Sequence, residues 1–391
     1  MKQTRVLLAG ILFLSLSLIS CAPSSAAGGW AGIAVEGDLL YTGSLDGKIV
    51  CINATDGQLR WLYQIVMASG TASCGETLVP SAIYGTPLVE RGMVYVGTYD
   101  GKVLALNMVA RQEGLTFPQK RYGEWEWSCP TANRGGNAIV TDLVTSGSAI
   151  YVSCSNGKVY SLDKEFGDLN WESDALSERL WTSPALHDDI VILSTFEGRL
   201  LTVSAESGEV LPWSFESASG FVSRPVIYDH TIYIGSFDNK LYAIEIGASE
   251  PLWSFAGRKW FWAAPLVVGG RVYAGCLDGN VYAIESRTGK QLWRFNCKSP
   301  IVSSPVVAGD VLVVATESGN VYLIDVETGK GERVKNPSVD SRPTVDARVR
   351  ASLLVKENKV YIHAQDDCVY RLGVQDMKVE KLFCVRDVKM H

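Results

Sequence analysis

The sequence predicts an all-β fold, an eight-bladed β-propeller of four-stranded antiparallel blades. Three observations carry the prediction. A two-residue turn signature returns eight times, apolar runs of alternating pattern flank each copy, and a tryptophan follows several of them. Repetition at about forty residues with period-two patterning is how radially packed sheets show themselves in a sequence.

The turns are Asp46-Gly47, Asp100-Gly101, Asn156-Gly157, Glu197-Gly198, Asp238-Asn239, Asp278-Gly279, Ser318-Gly319 and Asp366-Asp367. Between Asn156 and Ser318 they stand 40 or 41 residues apart, room for four short strands with tight turns. Longer steps elsewhere imply insertions around blades two and three and before blade eight. Asp-Gly and Asn-Gly supply the positive φ that a two-residue hairpin needs to match strand twist. VYVGT (Val94 to Thr98) and IYIGS (Ile232 to Ser236) precede such turns, and KVLAL, KLYAI and NVYLI follow them. Their alternation sets one side of each strand against a neighbouring sheet.

A first strand opens after Pro87, Pro184, Pro225, Pro265 and Pro305. Proline gives no amide hydrogen to a ladder, which suits an inner edge facing a central channel. Small residues before it, as in Ala263-Ala264 and Ser303-Ser304, suit a crowded hub. Arg224 interrupts that small-residue position. It is expected to point into the channel, give it local positive charge and attract an anionic ligand. Trp61, Trp171, Trp213, Trp253 and Trp293 sit on outer strands. Spread around a ring, they cannot converge on one ligand. They read as wedges between blades, each indole N–H needing an acceptor.

AIESRTGKQLW (Ala283 to Trp293) resembles the repeat of the pyrroloquinoline-quinone (PQQ) family, Ala-x-Asp-x-x-Thr-Gly-Lys-x-x-x-Trp. CINATDGQLRW, TVSAESGEVLPW and LIDVETGKGER are weaker copies, and the resemblance runs from about Trp30 to Val385. It implies a propeller. For the quinoprotein oxidoreductases of the family it also implies PQQ and calcium over the centre, often above a disulfide between adjacent cysteines. This chain has no Cys-Cys pair and no obvious catalytic Asp beside a calcium cluster. It is closer in type to the non-catalytic branch, which includes the propeller lipoprotein of the outer-membrane β-barrel assembly machinery. That branch implies a protein–protein scaffold in the cell envelope with no cofactor. PQQ with calcium, or another small ligand, belongs to the alternative reading.

Residues 1–20 read as a secretion signal, with Lys2 and Arg5 before the apolar stretch Val6 to Leu18. Leu18-Ile19-Ser20-Cys21 resembles a bacterial lipobox. Cleavage before Cys21 would leave a lipid-modified N-terminus and an outward-facing, membrane-anchored chain. Residues 21–29 are small and turn-prone, a short tether, and 30–391 form the propeller. The net charge of −6 would fall to about −8 on loss of Lys2 and Arg5. An acidic balance argues against a nucleic-acid partner.

Beyond Cys21 there are eight cysteines. In an oxidising compartment Cys74 and Cys129, on loops sharing a face, are a candidate bridge. Cys368 and Cys384, flanking the last hairpin, are another. Cys154 and Cys276 occupy one place in two blades and read as small buried residues. Cys51 and Cys297 have no evident place. The histidines His187, His230, His363 and His391 are scattered, and no CxxC, HExxH or GxSxG pattern occurs.

The long loops read equally as binding segments or as neutral surface decoration. The insertions Ile65–Ile83, Ser128–Asn137 and Lys335–Arg350 should gather over one mouth of the channel, and Met108–Tyr122 should project from the opposite face. Aromatic residues lead into inner strands at Trp30, Tyr84, Trp181 and Trp262. They read either as hub packing or as a rim that grips a partner. Trp125 and Trp127 point to one side of a strand and read as a buried pair.

Overall fold

Eight four-stranded antiparallel sheets follow one another along the chain, each with its strands side by side in sequence order. The computed structural model describes residues 31–69, 77–107, 124–128, 138–176, 178–336, 338 and 341–388. Blade one is Ile33–Glu36, Leu39–Gly43, Lys48–Asn53 and Leu59–Gln64. Blade six is Leu266–Val268, Arg271–Gly275, Asn280–Glu285 and Gln291–Asn296. The middle two strands of each blade are largely buried, and the fourth, where its burial is described, mixes exposed and half-buried residues, in keeping with radially stacked sheets.

The turn chemistry has two parts. The second turn residue takes positive φ: 85° at Gly279, 68° at Asn239 and 60° at Asp367. The preceding Asp closes the turn with its side chain. Asp278 accepts the Asn280 amide at 2.9 Å and the Tyr282 hydroxyl at 2.6 Å. Burial opposes its ionisation, yet these donors prevail and hold its carboxyl below the usual range. Asp238 with Tyr242 and Asp366 with Tyr370 repeat the contact.

Blade-to-blade cohesion is equally regular. Trp171, Trp213, Trp253 and Trp293 donate their indole N–H to carbonyls of the next blade, Ala205, Ala248, Ser286 and Val326, at 2.8–3.0 Å. Tyr151, Tyr233 and Tyr273 donate hydroxyls to three of those same carbonyls. One carbonyl thus takes two aromatic donors, and both rings bury their faces in the seam.

Among the described residues blades one and eight each keep four strands of their own, and the ring closes by side-chain packing between them. Ile33, Leu40, Ile52 and Ala54 of blade one form a core cluster with Tyr361 and Val369 of blade eight. Arg371 donates to the carbonyls of Ala54 and Thr55 at 2.8 and 2.7 Å, and Lys356 pairs with Asp38 at 2.6 Å.

Cys368 and Cys384 face each other across the third and fourth strands of blade eight and are disulfide-bonded. Cys51, Cys276 and Cys297 are buried free thiols, and Cys154 is buried too. Cys21, Cys74, Cys129 and Trp30 lie outside the described residues. So do the side chains of Trp125 and Trp127, whose strand Glu124–Ser128 pairs with Lys102–Asn107. The connection from blade one to blade two carries its own hairpin, Val66–Ser69 with Thr77–Pro80. Among the described residues no helix is long and apolar enough to cross a membrane.

Candidate functional site: the rim of the channel mouth

The segments that enter the first strands of blades one to five touch one another at the hub. A Cβ on Gly32 would come within 2.4 Å of the Thr86 hydroxyl, so blades one and two touch there through a glycine. The Thr86 amide donates to Asp142 at 2.7 Å, and the Ser183 hydroxyl accepts the Asp142 amide at 2.8 Å. These contacts step from blade two to three to four. Arg224, from blade five, reaches back to Asp142 at 3.5 Å.

That contact corrects one expectation. Arg224 does stand at the hub and is half exposed, with 48% of its side chain open. Its charge is compensated by Asp142, however, so the channel gains an ion pair in place of a bare positive site. Sequence reasoning missed Asp142 because the small-residue pattern there drew attention to one departure, Arg224, and overlooked the second.

An aromatic arc lies outside this hub. Trp181 packs against Phe196 (5.7 Å between ring centres), Phe196 against Phe237 (5.2 Å), and Phe237 against Trp260 (4.7 Å) and Trp262 (6.3 Å). Tilted and edge-on pairs of this kind hold one another in place. The arc spans blades four to six. Trp181 is 51% exposed and Phe196 and Trp260 are each 40% exposed, while Trp262 is half-buried. Phe261, between the two tryptophans, turns inward and is fully buried against Phe255 and Tyr282. Over blade two Tyr84 meets Tyr99 at 5.5 Å. Burial first, then Tyr99, raises the Tyr84 phenol above its ordinary value, so it stays protonated.

Two loop positions build the arc: the lead-in to a first strand and the residue before the turn dipeptide. The second was missed. Its signal was present, since Tyr99, Phe196 and Phe237 all directly precede their turns. Across blades seven and eight the same two positions hold Glu317 and Arg350, which pair at 2.6 Å. The mouth is therefore two-sided, a self-satisfied ion pair opposite an arc of open rings. Arg179, Arg258 and Lys259 are exposed beside the arc.

Two of the histidines that are scattered in the sequence meet in the fold. His187 and His230 are brought together between blades four and five, Nε2 to Nδ1 at 2.8 Å, with Asp188 3.4 Å from His187. Still, among the described residues no group of three or more His, Cys, Asp or Glu is arranged to hold a metal ion.

A family model described as "Outer membrane protein assembly factor BamB" matches residues 20–255 and 211–379. The chain belongs to that family. It is 26% identical to outer membrane protein assembly factor BamB of Salmonella typhimurium over 202 residues, 52% of this chain and 46% of the relative. The figures for the Escherichia coli K12 protein of that name are the same, and the Shewanella oneidensis one is 22% identical over 218 residues, 56% of this chain and 50% of the relative. The chain thus spans about half the length of the curated BamB relatives it matches. Among solved structures, the computationally designed Ika8 protein superposes with a TM-score of 0.67 at 18% identity, covering 88% of this chain and 96% of its own. BamB from Moraxella catarrhalis gives 0.65 at 18%, covering 87% and 95%. At that identity both likenesses speak for the fold alone. BamB membership agrees with the PQQ-like repeats of the sequence and with the propeller they build.

Proposed function

We propose that this chain is a lipid-anchored, non-catalytic scaffold of the bacterial cell envelope that docks protein partners on its aromatic rim during assembly of outer-membrane proteins. The observation that carries the reading is the match to the BamB family model across most of the propeller. The rim supplies the physical means. Rigid aromatic rings on loops of a stiff scaffold bury large area at low entropic cost, the usual anchors of a protein interface. The lipobox at Cys21 supplies the tether, and several acyl chains give firm attachment.

No cofactor is part of this reading. A calcium-held quinone would need free oxygen ligands over the axis. At Asp142 the carboxylate oxygens face the Thr86 amide and Arg224 instead.

The test is complementation in a strain lacking the protein. Trp181→Ala with Trp260→Ala should lower the amount of folded outer-membrane β-barrel protein while the melting temperature of the isolated chain holds. Cys21→Ser should move the chain from the membrane to the soluble fraction. Full rescue by both variants would overturn the reading.

A further inference from the structure

Where blades four and five meet, two histidine rings face each other. His187 ends the first strand of blade four, Ala185–His187. His230 closes the turn between the first two strands of blade five, Val226–Tyr228 and Thr231–Gly235. That turn leaves its blade at the end opposite the Asp238-Asn239 turn, so the pair lies on the face of the disc away from Trp181 and Trp260. Nε2 of His187 lies 2.8 Å from Nδ1 of His230, with ring centres 4.9 Å apart and planes inclined by 61°. Oδ2 of Asp188 lies 3.4 Å from the same Nε2.

At this register other blades meet through complementary groups. Glu36 ends the first strand of blade one and accepts the Gly92 amide from the first turn of blade two at 3.2 Å. Lys356 ends that strand in blade eight and pairs with Asp38 in the first turn of blade one. The seam between blades four and five instead sets two imidazoles in contact, and imidazole is the commonest side-chain ligand of metals. His230 reaches the seam from φ +61°, at the place that Gly92 and Gly270 hold in blades two and six. A side chain thus stands where glycine fits without strain.

The spacing suits a divalent ion. As they stand, the two nitrogens share one hydrogen, and the tautomers set which ring donates it. Moving that hydrogen to the far nitrogen of its ring leaves two lone pairs directed into one space. Among the described residues His187 Nδ1 and His230 Nε2 have no hydrogen-bond partner, so each is open to hold it. Zinc keeps imidazole nitrogens at about 2.0–2.1 Å in a tetrahedron, which spaces its donors about 3.3 Å apart. The separations of 2.8 and 3.4 Å lie within about half an ångström of that value. The Asp188 side chain is 84% exposed and has no Lys or Arg partner among the described residues, so its charge is open to a cation.

We propose that His187 and His230 form a two-histidine site for a divalent transition ion, zinc foremost, with water completing the coordination and Asp188 supplying counter-charge. The ion ties the first strand of blade four to the first turn of blade five. Nitrogen donors select zinc, copper or nickel over magnesium and calcium, which take oxygen. No third protein ligand closes around the rings among the described residues, so the outer coordination positions stay open to solvent.

The experiment titrates zinc into the full-length chain in detergent, prepared without an added histidine tag and stripped with a chelator. Calorimetry should show one bound equivalent that is lost in His187→Ala and in His230→Ala and kept in His391→Ala. Asp188→Asn should weaken it by about 10–100-fold, as loss of a group supporting the ligands does. Magnesium in excess should not compete. Should a histidine variant fail to fold, the unmutated chain still reports: saturating zinc should protect His187 and His230 from carbethoxylation, mapped by mass spectrometry. Zinc binding undiminished in both histidine variants, no binding at millimolar zinc, or full carbethoxylation of the pair in saturating zinc would overturn the proposal.

Discussion

Gly329 lies against the face of Trp293 on the neighbouring blade: a Cβ built on it would stand 2.6 Å from Cδ2 of the indole. Gly289 meets Trp253, and Gly208 meets Trp171, in the same way. The Thr-Gly or Ser-Gly of each repeat and the tryptophan of the repeat before it are thus two halves of one contact. Gly329 also sits at φ +67°. Gly329→Ala should therefore cost a left-handed penalty of roughly 1–2 kcal/mol plus displacement of the ring. Gly309, at φ +63° with nothing within 4 Å, isolates the backbone part. Urea unfolding should show Gly329→Ala the more harmful of the two; equal losses would mean the indole contact contributes nothing.

Arg224 and Asp142 differ in what their removal should do. Arg224 is half exposed, and exposed pairs contribute about 0.2–1 kcal/mol. Arg224→Ala should change stability by less than about 1 kcal/mol. Asp142→Ala also leaves the Thr86 amide without its acceptor, a loss of about 1–3 kcal/mol. A double-mutant cycle by chemical denaturation reads the coupling. A coupling indistinguishable from zero would remove the compensation argued for the hub.

The free thiols should be silent. Burial pushes Cys51 and Cys276 up to about 12, and raises Cys297 as well. Thiolate, the reactive form, is therefore suppressed in the folded chain. An aromatic disulfide reagent at mildly alkaline pH should label none of Cys51, Cys276 and Cys297 until denaturant is added. The unfolded chain releases these protons at lower pH than the folded one. Stability should hold below the ordinary thiol range and fall as pH rises above it, by at most about 1.4 kcal/mol per thiol per pH unit. Prompt labelling of the native protein would contradict the burial.

Cys368–Cys384 closes a loop with a sequence separation of 16 residues and fastens the outer strand of blade eight. Replacing both cysteines by serine should lower unfolding free energy by about 3 kcal/mol through the freedom returned to the unfolded chain. Reduction of the unmutated protein should give the same shift in urea midpoint. An unchanged midpoint in both would show that the fold has no need of the link.

Much of the architecture could be read from the residues one blade at a time. The turn dipeptides, the alternation of VYVGT and KVLAL, and the proline at five of the inner edges are local signals, because φ preference and strand pleat act over a few residues. Trp171, Trp213, Trp253 and Trp293 could be assigned to blade seams for the same reason, since their spacing repeats. The site was less legible. Trp181 and Trp262 could be named as rim candidates. Phe196 and Phe237, which join them into an arc, became visible only once the turn of one blade stood beside the lead-in of another.

The residues alone settled that this chain builds eight similar sheets, because each sheet is specified by contacts close in sequence. Folding in three dimensions decided which departures from the repeat meet. Asp142 with Arg224, His187 with His230, and His363 with Ala31 and Thr42 are separated along the chain by tens to hundreds of residues. They come together because a closed ring sets its two ends and its inner edges side by side, and no local propensity encodes that closure.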